Sequence, residues 1–248
     1  NIRTLTKNLD ETLAVAIEQL TQPKFDEADF IRLQKQQIEG LKTAKKNAAT
    51  TATEIFSKLV FGSDNSFAHA NNGTISTLQK LTLKDVSEFY SANYGPSNAD
   101  LIVVSNLAEK EISKTLKTLD VWQGKSSPMP ALKPFPELQA GTLYFIDKPE
   151  AAQSEIRIGK RALNYDSVGE YYRSDLMNYN LGGAFNSRIN LNLREDKGWT
   201  YGARSYFSSS DEPGSFSVYS GVLAQATDSA IYEIIQEIEG YREKGITD

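Results

Sequence analysis

Two side chains in the second half of the sequence could act together on a polar group. Arg194 is expected at the end of a helix and Tyr201 at the start of a strand, and Gly198 stands where a helix C-terminus favours a left-handed residue. This reversal would let a guanidinium and a phenol converge on one point. Such a pair suits a peptide carbonyl whose oxygen gains charge in a tetrahedral intermediate. In the alternative interpretation, Arg194 pairs with Glu195 or Asp196 and Tyr201 is a half-buried strand aromatic.

Other catalytic side chains are scarce in this sequence. It contains no cysteine and one histidine, His69, which falls in a segment rich in Gly, Asn and Ser at 62–74. Catalytic zinc usually takes two or three imidazoles, and thiolate sites need cysteine. The chain is therefore not expected to bind zinc by itself, and His69 is interpreted as a solvated loop side chain. Gly182 and Gly183 predict a tight turn, because the Lys and Ser or Thr of a phosphate loop are missing.

Composition excludes several classes of protein. The 248 residues are 40% hydrophobic and 24% charged, which is ordinary globular usage. The apolar run at 101–104 is far too short to span a bilayer, so no membrane span is expected. With 27 Lys+Arg against 32 Asp+Glu and no basic stripe interleaved with aromatics, nucleic acid is not an expected partner. The absence of cysteine and the mild acidity suit a bacterial periplasm or cytoplasm alike, so the localisation stays open.

Hydrophobic periodicity predicts a mixture of helices and strands, an α+β fold, with helix N-caps at Asn8, at Asp26 and at Thr82 with Asp85. The helices are predicted at 8–22, 26–47, 55–60, from 82, 109–119, 170–181, 186–195 and 228–244, and the strands at 99–104, 142–146, 154–163, 199–207 and 215–222. Between the two halves, four prolines fall within nine residues and indicate a semi-rigid connector: Pro128, Pro130, Pro134 and Pro136.

The segment from Leu181 to Tyr201 carries a specific motif. A Gly-Gly pair is followed by Ser187-Arg188 and then by Leu-Arg-Glu-Asp-Lys-Gly-Trp-Thr-Tyr, in which Tyr201 stands seven positions after Arg194. This pattern resembles the pitrilysin/insulinase family of zinc metallopeptidases. Segments 23–30, 81–98 and 101–104 agree with the same family, so the resemblance covers nearly the whole chain.

The resemblance implies an architecture of metalloprotease-like repeats, each a mainly antiparallel sheet covered by helices, with two repeats facing each other like a clamshell. Residues 1–122 would form the latter part of one repeat, 123–141 a Pro-rich linker, and 142–248 the opening part of the next. The family's His-x-x-Glu-His lies in the opening helices of an active repeat. The corresponding region here, 178–193, contains no histidine.

The family's remaining zinc ligand is a Glu on the helix that follows the Phe-Asp-Glu turn. Counting from Phe30 places that ligand on Gly40. The adjacent Glu39 would point away from a metal, because one residue turns a helix by about 100°. With a shifted register Glu39 would be a degenerate ligand; otherwise it is a solvated helix charge. The resemblance thus indicates a non-catalytic unit, with zinc expected in a partner repeat or subunit.

The resemblance also implies roles for the motif residues. Arg194 and Tyr201 would reach across the clamshell to a substrate held at the partner repeat's zinc. Further candidate contacts with the peptide are Asn186, Ser187, Arg188 and Trp199, although helix capping explains the first two equally well and core packing explains Trp199. Exposed strand edges could also bind an unfolded peptide as an added strand.

The predicted function is the substrate-binding, non-catalytic portion of a zinc metalloendopeptidase. Its partners would be a peptide or unfolded protein and a catalytic repeat in the same polypeptide or in another subunit. The alternative is a purely structural scaffold subunit, as in the core proteins of the respiratory chain. A third possibility, an unrelated α+β ligand-binding protein, would require the spacing match to be a coincidence.

Overall fold

Two units, each assembled from separated stretches of the chain, are seen in the computed structural model, which describes residues 1–124, 126–128 and 131–246. One unit combines Asn1–Gly40 with Thr74–Ala131, and the other combines Leu41–Gly73 with Leu132–Asp248. Pro130 of the expected connector lies outside the described residues. The repeat boundary at 123–141 stays a prediction, because a structural repeat and a compact unit are different divisions of a chain.

The secondary structure is a mixture of helices and strands, as the sequence predicts. The helices are α1 (Leu9–Thr21), α2 (Glu27–Ala44), α3 (Ala48–Phe61), α4 (Ile75–Lys80), α5 (Leu83–Asn93), α6 (Glu109–Leu116), α7 (Glu170–Asn178), α8 (Arg188–Asn190) and α9 (Thr227–Lys244). The strands are β1 (Gln153–Arg161), β2 (Thr200–Ser208) and β3 (Ser215–Leu223). Short π-helical turns occupy Tyr179–Gly183 and Leu191–Asp196, so two segments predicted as plain helix are wound more widely.

Local capping accounts for where several helices begin. The carboxylate of Asp26 accepts a hydrogen bond from the Asp29 N–H (3.1 Å) at the start of α2. At α5, the Thr82 N–H donates to Asp85 Oδ2 (2.8 Å) and the Asp85 N–H donates to Thr82 Oγ1 (3.2 Å). Both caps confirm the sequence prediction. The predicted cap at Asn8 is wrong, because a 3-10 turn precedes α1 and the Asn8 side chain makes no capping bond.

Two predicted strands do not form. Segments 99–104 and 142–146 have no regular secondary structure. Their apolar side chains lie in solvent, with Ile102 86%, Val104 96% and Phe145 80% exposed. A strand needs a neighbour for its backbone hydrogen bonds, and neither segment pairs with another among the described residues. A β-branched composition is typical of a strand, but composition alone does not supply the partner.

The second unit is organised around a three-stranded antiparallel sheet in the order β1-β3-β2. One face of this sheet packs against α7, α8, the π-helical turns and α9 through a buried cluster that includes Ile156, Ile189, Leu193, Val218, Val222 and Ile234. Helix α3 packs on β1, where Arg161 Nη1 donates to the carbonyl of Val60 (2.8 Å). This layered core fixes the segment 181–204, which contains the candidate site.

Candidate functional site

The chain reverses at Gly198 as the sequence predicts. Gly198 has φ +66°, and the following Trp199 N–H donates to the carbonyl of Leu193 (2.9 Å). Arg194 lies in the π-helical turn before the reversal, and Tyr201 is the second residue of β2 after it. A glycine is required because a left-handed backbone costs other residues steric energy. The turn therefore brings the helix end and the strand start back towards each other.

The guanidinium of Arg194 rests on an aromatic ring. Its central carbon lies 4.5 Å from the ring centroid of Phe185, and its Nε lies 3.4 Å from Glu195 Oε1. The pairing with Glu195 considered from the sequence is thus present. Because that carboxylate is half exposed, such an ion pair contributes at most about 1 kcal/mol. The ring contact, which the sequence did not predict, is worth a similar amount and fixes the plane on which the guanidinium lies.

Tyr201 presents its phenol to solvent. The residue is 90% exposed, and its side chain makes no hydrogen bond or ring contact within the described ranges. It is therefore not the half-buried strand aromatic of the alternative interpretation. Its hydroxyl is available to a ligand, which is the property that a substrate-binding phenol needs.

A buried asparagine that the sequence did not single out holds the Phe185 loop. Asn190 is 1% exposed, its Nδ2 donates to the carbonyl of Phe185 (2.6 Å), and its Oδ1 accepts from the Ala203 N–H (2.9 Å). The side chain thus ties the loop carrying the ring to the strand carrying Tyr201. The sequence does carry a signal for this role: Asn190 is an amide at a helix position that would otherwise suit an apolar residue. Buried polar groups are almost always hydrogen-bonded, so such an amide indicates a structural partner.

The outer edge of β2 is closed by side chains. Besides the Asn190 bond to Ala203, Asn178 Nδ2 donates to the carbonyl of Ser205 (2.9 Å) and the Tyr171 hydroxyl donates to the carbonyl of Phe207 (3.1 Å). These groups occupy the backbone positions that an added strand would use. A peptide therefore cannot extend the sheet at β2, and the expectation of an open strand edge is wrong there.

The remaining candidate residues fall in different environments. Asn186 is exposed, whereas Ser187 is 1% exposed, its hydroxyl has no partner and it does not cap α8. Arg188 Nε donates to Glu237 Oε2 (2.9 Å) on α9. Trp199 is half-buried and packs against the core cluster. Asn186 alone of these four leaves its side chain open to solvent without a contact in the part of the chain that the structure describes.

The two cationic side chains before the reversal are each paired with a carboxylate. Lys197 Nζ lies 2.8 Å from Asp196 Oδ2, and the hydrogen bond from this carboxylate, helped by its charge, raises the pKa of Lys197. The ammonium therefore stays protonated at neutral pH. With Arg194 beside Glu195 and Lys197 beside Asp196, the charges of the turn balance.

The residues present do not fit a zinc site. Among the described residues, no three His, Cys, Asp or Glu side chains converge. His69 Nε2 is hydrogen-bonded to the carbonyl of Ser63 (2.7 Å), and Gly40, where counting from Phe30 puts the expected ligand, has no side chain to offer. Glu39 is exposed on α2. Nor does any helix of the described ranges have the length and apolar character needed to cross a membrane.

A comparison with protein families agrees with this arrangement. Residues 80–248 match the family described as "Peptidase M16 inactive domain". The chain belongs to the peptidase M16 family. The resemblance to pitrilysin/insulinase-type zinc metallopeptidases, the α+β fold and the assignment to an inactive domain of a zinc protease family are thereby confirmed.

Individual relatives extend the match to the whole chain. The uncharacterized zinc protease YmxG of Bacillus subtilis is 24% identical over 247 residues, which cover 99% of this chain and 58% of that protein. A peptidase M16 inactive domain from Pseudomonas fluorescens has a similar fold, with a TM-score of 0.86, 21% identity, and coverage of 98% of this chain and 58% of that one. A protease from Helicobacter pylori superposes with a TM-score of 0.86 at 19% identity, covering 99% of this chain and 60% of that one. The chain thus spans somewhat more than half the length of these relatives.

Proposed function

We propose that this chain is the non-catalytic, substrate-binding portion of a zinc metalloendopeptidase. Its partners would be a peptide or unfolded protein and a zinc-bearing catalytic repeat, either in the same polypeptide or in another subunit. Residues 1–122 and 142–248 would belong to successive repeats. The observation that supports the proposal is that the Gly198 reversal lies between a ring-supported Arg194 guanidinium and a Tyr201 phenol that is 90% exposed.

The chemistry assigned to this pair is carbonyl binding. The guanidinium of Arg194 and the hydroxyl of Tyr201 would both donate hydrogen bonds to the oxygen of the scissile peptide bond. The donors matter most when that oxygen becomes an oxyanion, because groups already in place need no reorganisation at that moment. Asn186, exposed in the same loop as Phe185, would contact the peptide backbone, and Trp199 would line the cleft beside it; Ser187 and Arg188 would hold this loop against α9.

Kinetics of two variants test the proposal. In the full-length protein, together with a separate zinc-bearing subunit where one exists, Arg194→Ala and Tyr201→Phe should each lower kcat by about 10²-fold, as the loss of an oxyanion donor does elsewhere. Matched controls are Arg242→Ala and Tyr232→Phe, which remove the same groups from exposed positions on α9. Unchanged proteolysis by both site variants, with wild-type folding, would favour a scaffold role instead.

A further inference from the structure

A second arginine approaches the ring that supports Arg194. The central guanidinium carbon of Arg204, on β2, lies 5.7 Å from the ring centroid of Phe185, and that of Arg194 lies 4.5 Å from the same centroid. Phe185 itself is more than half exposed. Two cations therefore share one aromatic ring at the surface of the second unit.

The guanidinium of Arg204 has no hydrogen-bond or ion-pair partner among the described residues. Its Nη1 is buried without a hydrogen bond, and within the described residues no carboxylate lies at ion-pair distance from it. A guanidinium carries five N–H donors, and a buried donor left unpaired is costly. Arg204 is thus a half-buried cation whose hydrogen-bonding capacity the described protein does not use.

The charge of the two arginines at the ring is only partly compensated. In the described part of the chain, Glu195 is the one carboxylate at ion-pair distance from either arginine, and it pairs with Arg194, at 3.4 Å. Two guanidiniums on one ring repel each other unless an anion lies between or beside them. A carboxylate matches the planar fork of a guanidinium better than other anions that a peptide can supply.

We propose that Arg204, acting with Arg194 at the Phe185 ring, binds a carboxylate of the substrate peptide. The carboxylate would come from an acidic side chain near the cleaved bond or from the C-terminus of the peptide. The site would then select acidic peptides or free C-termini, which the carbonyl-binding pair does not. This inference rests on the proposed function, since it takes the ligand of the site to be a peptide.

A peptide series separates the two sources of the carboxylate. The starting peptide is an uncharged, amidated one that the full-length wild-type protein cleaves. In one arm a Glu is moved along it, each version paired with its Gln counterpart; in the other arm the C-terminal amide is replaced by a free carboxylate. In one of the two arms, the wild-type protein should have a KM about tenfold lower for the peptide that carries the carboxylate than for its uncharged counterpart, as expected for a charge-assisted pair. Arg204→Gln should abolish this difference.

The controls keep the inference distinct from the proposed function. Arg204→Lys should restore part of the preference, and Arg242→Gln should retain all of it. Equal KM values across both arms in wild type, or a preference that survives in Arg204→Gln, would overturn the inference. A different result would refute the proposed function: Arg194→Ala and Tyr201→Phe would both keep the wild-type kcat on the uncharged peptide.

Discussion

The aromatic ring of Phe185 determines where the Arg194 guanidinium can lie. The contact at 4.5 Å is the shortest among the cation–ring pairs of the described residues, and the loop beneath it is held by the buried Asn190. Phe185 does not need to touch substrate for this purpose; it is a positioning residue for Arg194.

Replacing the ring tests this role. In the full-length protein, Phe185→Leu keeps an apolar side chain but removes the π face, so kcat/KM should fall by about fivefold, the equivalent of about 1 kcal/mol for an exposed cation–π pair. Phe185→Tyr preserves the face and should retain wild-type values. Steady-state kinetics with an uncharged peptide give the comparison. If the Leu variant matches wild type while Arg194→Ala is impaired, the ring does not position the guanidinium.

The sequence predicted the parts of the site that follow from local rules. Arg194, Gly198 and Tyr201 were singled out as candidates because a helix end, a left-handed glycine and a strand start occur at short spacing. Phe185 and Arg204 were not found, because they lie nine residues before and ten residues after Arg194. Their contacts depend on how the turn, α8 and β2 fold back on one another, and no local periodicity encodes that.

At the scale of the elements, the close approach of a π-helical turn to β2 holds the site together. Gly182 lies against Ser205, and a Cβ at Gly182 would fall 2.1 Å from Ser205 Oγ and 2.6 Å from its backbone nitrogen. The sequence predicted a tight turn here, but the reason for the glycine is the neighbouring strand.

Gly182→Ala should therefore destabilise the protein. Overpacking against a backbone atom costs roughly 1–3 kcal/mol and would displace the turn from β2. The matched control is Gly240→Ala in α9, where the nearest atom to an added Cβ is the far end of Arg188 at 3.9 Å. That change should be neutral or stabilise by about 0.5–1 kcal/mol, the usual gain of Ala over Gly in a helix. Urea unfolding midpoints measure both, and an undisturbed Gly182→Ala would contradict the close packing.

Elements were predictable where their signal is local. The amphipathic stripes of α1 and α9 and the capping box at Thr82 need no distant partner, and all were found in place. The strands predicted at 99–104 and 142–146 do not form, because a strand depends on hydrogen bonds to a second strand that can be distant in sequence. The π-helical winding at 179–183 and 191–196 also has no separate sequence signature, since its apolar pattern is that of an ordinary helix.

At the scale of the molecule, the sequence indicated an α+β chain but not which stretches fold together. The second unit joins Leu41–Gly73 to Leu132–Asp248, so α3 packs on a strand about a hundred residues further along. Periodicity in a window of some 15 residues carries no information about such pairings.

The exposed apolar segments 101–104 and 143–146 should make the 248-residue chain associate with itself. Continuous apolar runs of this kind are typical of strands with both faces buried, yet here they are exposed and unpaired among the described residues. Exposed apolar segments with high β propensity promote association between copies. The chain on its own should therefore show apparent molecular mass that rises with protein concentration.

Charges placed within these runs should suppress the association. Ile102→Lys combined with Phe145→Lys interrupts both segments at side chains that contact little, so the fold should be retained while static light scattering approaches the monomer mass. The control combines Val15→Lys with Val168→Lys, which adds the same charge at exposed valines outside either run (56% and 79% exposed). If the control suppresses association equally, net charge rather than the two segments governs it. If neither pair of substitutions changes the scattering, the self-association has another surface as its origin.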